Sequence, residues 1–126
     1  MITSDYKTLV VWQKSMDLVV DVYQLLKSFP IEEKFAICDQ IRRCAISVPS
    51  NIAEGQARDF AKEFSRFISI ARGSLAELET QLILSCRLGY IAEATLIVFS
   101  NRITEISKML FSLKSKLNSQ LITHNS

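Results

Sequence analysis

"SVPSNIAEG", Ser47–Gly55, decides the fold. If Pro49 breaks the chain here, the middle of the sequence is a loop free to carry chemistry. If the hydrophobic period runs through the proline, the stretch is helix. Ile37, Ile41, Cys44, Val48 and Ile52 fall at steps of four, three, four and four, so the period passes Pro49 without a slip. This predicts helix 2 over about 33–54 with an internal proline. The ring removes one N–H, loses the bond to the Ala45 carbonyl and predicts a kink near Pro49. Gly55 reads as the left-handed residue that stops the helix.

Working outward, helix 3 is expected over about 61–88 on Phe64, Ile68, Ala71, Leu75, Leu78 and Leu82, closed by Gly89. Helix 4, over about 92–117, carries Leu96, Phe99, Ile103, Ile106, Leu110, Leu113 and Leu117 in alternating steps of three and four. The polar stretch 118–126, "NSQLITHNS", is expected to fray. Helix 1, over about 10–27, shows Trp12, Met16, Val19, Tyr23 and Leu26 as its core stripe. A second apolar series, Val11, Leu18, Val22 and Leu25, lies about 100° around. That surplus suggests cover from another subunit. Two prolines and three glycines in 126 residues leave room for about three interruptions. The expectation is therefore an all-α, single-domain, antiparallel up-down four-helix bundle.

The composition excludes more chemistry than it offers. The one histidine, His124, stands in the tail, so neither a Glu-x-x-His di-metal site nor a histidine-activated nucleophile is expected. Cys38, Cys44 and Cys86 show no CxxC pairing and read as reduced core thiols. No cofactor, metal or catalytic residue is predicted, and the chain is expected not to be an enzyme. Without a long apolar run or a basic-then-apolar N-terminus, it reads as cytoplasmic with no membrane partner.

Two polar stripes run beside the apolar ones. Helix 2 carries Asp39, Arg43, Ser47, Ser50 and Glu54, with Asn51 alongside; helix 3 carries Glu63, Arg66, Gly73, Glu77 and Thr80. They face water, or else Arg43 or Arg66 pairs with Glu54 or Glu77 in a structural polar layer of Arg43, Ser47, Ser50, Glu54, Arg66 and Glu77. Net charge is only +2, but the span from Arg42 to Arg72 holds six cations against three carboxylates. Five of the six are arginine, suited to bidentate phosphate contact. Arg42, Arg43, Arg58, Lys62, Arg66 and Arg72 are accordingly the candidate nucleic-acid-binding residues.

"VWQKSMDLVVDVY", "FPIEEKF", "QIRRCAISVPSNIAEG" and "KEFSRFISIARGSLAELETQL", closed by "LGYI", resemble the four-helix-bundle family encoded by intervening sequences in bacterial 23S ribosomal RNA genes. That family includes the accessory protein of diversity-generating retroelements. The resemblance spans about Leu9 to Leu117. It implies an antiparallel four-helix bundle assembled as a ring-like homopentamer. For the accessory member it further implies binding of nucleic acid and of a reverse transcriptase through a basic surface, onto which the same six cations map. The functional expectation is a non-enzymatic homo-oligomer that binds RNA or a ribonucleoprotein through helices 2 and 3. A reverse transcriptase becomes a partner if one is encoded nearby. The alternative is a protein-protein scaffold with no nucleic-acid role.

Overall fold

A computed structural model describes the backbone of residues 5–125 and the side chains of residues 5–119. A short 3-10 turn, Tyr6–Thr8, leads into α1 (Val10–Leu26). A second such turn, Ile31–Glu33, precedes α2 (Ile37–Ala57), and α3 (Ala61–Arg87) and α4 (Glu93–Asn125) follow. Among the described residues all regular structure is helical.

Cross-helix contacts give the arrangement. Along α2 and α3, Cys44 meets Glu77, Ser47 meets Ser74, and Gly55 meets Phe67, so the two helices run antiparallel. Along α3 and α4, Ser65 meets Asn118, Ser69 meets Lys114 and Arg72 meets Ser107, again antiparallel. α1 closes the bundle by ion pairs to α4, Lys14–Glu105 at 2.8 Å and Asp21–Arg102 at 2.7 Å, and by packing on α2. One core runs through all four helices. Its fully buried members include Leu18 and Val22 of α1, Ile41, Val48 and Ile52 of α2, Ile68, Leu75, Leu78 and Leu82 of α3, and Ile106 and Leu110 of α4.

α2 is one unbroken helix with Pro49 inside it, and Pro49 itself is buried. Its bounds differ from expectation at both ends. Residues 31–33 form the separate 3-10 turn, so α2 opens at Ile37 rather than Glu33. Gly55 does not stop the helix; it lies buried within it, and α2 continues to Ala57. Its role is proximity: a Cβ built there would stand 2.6 Å from the Phe67 Cβ, closer than any side chain tolerates. The left-handed residue at this turn is Asp59, with φ 62°, a conformation that aspartate adopts more readily than most residues. Gly89, with φ +83°, does close α3 as expected.

α1 requires the main correction. Its core face is Val11, Ser15, Leu18, Val22 and Leu26, while Met16 and Tyr23 are 41% and 42% exposed. The core stripe is therefore the one read as secondary. Ser15 disguises it: its hydroxyl donates to the Val11 carbonyl at 2.7 Å, satisfying a buried polar group inside an apolar face. α4 also departs from expectation, since its backbone stays helical through the polar stretch to Asn125, beyond the predicted stop at Leu117. No glycine or proline follows Gly89 to end it, and Leu117 is buried while Ser65 bonds Asn118 at 3.1 Å. His124 and its neighbours have side chains outside the described residues.

At the connection between α3 and α4, the Tyr90 hydroxyl donates to Glu33 Oε1 at 3.0 Å, and the Tyr90 and Phe29 rings lie 5.4 Å apart. The bond to the Glu33 carboxylate, with some loss of solvent, pushes the Tyr90 phenol up. This contact pins the second 3-10 turn to the far end of the bundle.

Candidate nucleic-acid interface

The six predicted cations are not gathered on one patch. Arg42 and Arg43 stand near the start of α2, about 22 Å along its axis from Arg58. Arg42 Nη2 donates to the Lys34 carbonyl at 2.7 Å, which ties it to the turn before α2. Arg58, Lys62 and Arg66 come together at the α2–α3 turn, where the Arg58 and Arg66 guanidiniums lie 5.3 and 4.5 Å from the Phe67 ring centroid. Each arginine there is partly neutralised within its own helix, Arg58 by Glu54 at 3.0 Å and Arg66 by Glu63 at 3.1 Å. Arg72 faces elsewhere, into the seam between α3 and α4.

The polar layer divides in the same way. Arg43 bonds Asp39 at 3.1 Å instead of Glu54 or Glu77, because an acid one turn away on the same helix is nearer than any across the seam. Arg66 and Glu54 likewise find their partners locally. Ser47 and Glu77 are the members that cross: the Ser47 hydroxyl lies 2.7 Å from Ser74 Oγ, and Asn51 Nδ2 donates to the Ser47 carbonyl at 2.7 Å and to its hydroxyl at 2.9 Å. Glu77 accepts from Cys44 Sγ at 3.4 Å. Burial, reinforced by that carboxylate, pushes the Cys44 thiol up, and burial does the same for Cys38. Both thiols are thereby held away from the reactive thiolate. Ser50 points the other way, into a groove between α1 and α2 shared with Trp12, Met16 and Pro49.

The seam between α3 and α4 has a different character. Lys62, Ser65, Ser69, Arg72, Ala76 and Glu79 follow one another at steps of three and four along α3. Opposite them α4 presents Ser107, Lys108, Phe111 and Lys114. A groove of about 490 Å³ opens between the two rows. Arg72 Nε donates to Ser107 Oγ at 3.4 Å, and its guanidinium sits 5.1 Å from the Phe111 centroid. Lys114 donates to Ser69 Oγ. The groove is lined by Arg72 and Lys108 against the carboxylate of Glu79, and the flanking stretches 62–71 and 113–119 add Lys62, Arg66, Lys114 and Lys116 against Glu63. Beside the groove, Glu63 is engaged by Arg66 and Glu105 by Lys14 on α1.

Of the six predicted cations, then, the structure brings Arg72 to this groove. Sequence reasoning missed Lys108, Phe111 and Lys114. The signal was present in "SKMLFSLKSKLNS", Ser107–Ser119, which carries three lysines and no acid. The leucine stripe of the same stretch assigns it to the core and masks the lysines between.

Comparison with known proteins places the fold. Residues 7–112 match the family model described as 23S rRNA-intervening sequence protein. The chain belongs to that family. Among solved structures, the chain is similar to a protein of unknown function from the S23 ribosomal protein family of Bacteroides thetaiotaomicron. The two are 32% identical with a TM-score of 0.77, over 83% of this chain and 98% of that one. No curated protein matches the chain. Family membership covers all four helices except the end of α4, so both walls of the groove lie largely inside the matched span.

Proposed function

We propose that this family member is a non-enzymatic, cytoplasmic, self-associating protein that binds RNA through cations of helices α2 and α3, chiefly where Arg72 meets Lys108 and Lys114 of α4 at the α3–α4 seam. The carrying observation is that seam: a groove bordered by Arg72, Lys108 and Lys114, with Glu79 as its lining carboxylate and the neighbouring Glu63 and Glu105 already paired. Cations in excess over carboxylates are what a phosphate backbone needs. Membership of a family described by 23S rRNA intervening sequences supports RNA as the nucleic acid. Self-association, in a ring of five as the family resemblance implies, is supported by Val10, Met16, Val20 and Tyr23, large apolar residues exposed along α1. A ring would repeat the basic seam around its circumference and multiply a weak site.

The test is titration of the full chain with a 23S ribosomal RNA fragment at several salt concentrations. Binding should fall steeply with salt, and replacing Arg72, Lys108 and Lys114 together with glutamine should flatten the slope by about 2 to 3. An affinity indifferent to salt, or equal in the triple variant, refutes the reading. The exposed α1 face favours one competing function, a protein-protein scaffold without nucleic acid. Under that reading RNA binding is absent even at low salt, while light scattering still reports an oligomer.

A further inference from the structure

We propose that the α3–α4 groove is a site for an unpaired nucleotide, with the base against Phe111 and the phosphate between Arg72 and Lys108. This rests on the RNA-binding reading and names the kind of RNA it takes. Phe111 is 56% exposed in the wall of a groove rather than turned into the core. Arg72 reaches across from α3 to sit 5.1 Å from the ring centroid, so a guanidinium and an aromatic face lie together in the groove. These are the two side-chain types on which nucleobases stack. A duplex keeps its base faces inside the stack and offers the groove only phosphates; a single strand or a loop offers both. The surroundings fit the rest of a nucleotide. Lys108 stands one residue beyond Ser107, whose hydroxyl accepts from Arg72, and Ser112 and Thr104 add hydroxyls that can bond sugar or phosphate. Glu79, the carboxylate lining the far end, can accept from a ribose hydroxyl or an exocyclic amine. The groove volume of about 490 Å³ falls within the range of small-ligand sites.

The experiment uses the full chain carrying Trp12→Phe, which removes the one native tryptophan, and Phe111→Trp, which places a reporter in the groove. It is titrated at low salt with a short uridine oligonucleotide and, separately, with a short RNA duplex. The single strand is expected to quench the tryptophan and the duplex to leave it unchanged. In the otherwise native chain, Phe111→Leu should weaken single-strand binding about tenfold while sparing duplex binding. Its salt slope should be unaltered, because no phosphate contact is lost, whereas Lys108→Gln should lower that slope by about 0.7. RNA binding without quenching, or an unchanged single-strand affinity in Phe111→Leu, overturns the nucleotide site and leaves RNA binding standing. A changed oligomer mass in Phe111→Leu assigns the ring to a subunit contact and overturns it as well. Absence of any RNA binding at low salt overturns both readings together.

Discussion

α3 packs on two neighbours, and the two seams are built on opposite plans. Against α2 it closes. Gly55 lets the backbones approach until only hydrogen fits opposite Phe67, and between the helices Ser47 bonds Ser74 and Cys44 donates to Glu77, with Asn51 bracing Ser47 from its own helix. Against α4 it stays open, with long cations and an exposed phenylalanine standing where small residues would have let the helices meet. A closed seam spends its side chains on stability. An open one leaves them available to a partner, so substitutions should separate the two seams by what they change.

The largest effect is expected in the shared core. Leu78→Ala removes a fully buried side chain and should cost about 3 kcal/mol in a urea unfolding midpoint analysis. Gly55→Ala should come next, at about 2 kcal/mol, since the Phe67 Cβ is anchored to backbone and the helices must part to admit the methyl. Ser47→Ala should cost about 1 kcal/mol by stripping Ser74 and Asn51 of a partner in the closed seam. Gly73→Ala sharpens the contrast, because nothing stands within 4 Å of the added carbon; the same substitution should there stabilise the chain by about 0.5 kcal/mol through helix propensity. Smallest of all, Arg72→Ala in the open seam should move the midpoint by no more than about 0.5 kcal/mol. A large loss there would mean that the open seam is also structural and would break the comparison.

Much of this fold was legible because α2, α3 and α4 carry apolar residues at strict helical spacing. Pro49 did not interrupt that spacing, and the helix runs through it. α1 was misread because Ser15 occupies a core position while Tyr23 occupies a surface one, and periodicity cannot tell which of two apolar faces meets the bundle. Gly55 was read as a stop because its function depends on Phe67, twelve residues on, which no local pattern reveals. The candidate site was half legible for a related reason. Arg72 and Lys108 are far apart in sequence and meet only because α3 and α4 run antiparallel. Charge counted along the chain grouped Arg72 with Arg42 and Arg43 instead, which the fold sends to another part of the surface.

The close approach at Gly55 also bears on the order in which the molecule assembles. α2 and α3 are joined by Arg58–Phe60 alone, and the contact of Gly55 with Phe67 closes one of the smallest loops between any two helices. The Asp21–Arg102 contact that brings α1 to α4 spans 81 residues. Loop-closure entropy therefore favours pairing of α2 with α3 ahead of the closure of α1 onto α4. Kinetically, changes around Gly55 should slow refolding, giving φ-values well above those of Leu18 or Val22, whose loss should chiefly hasten unfolding.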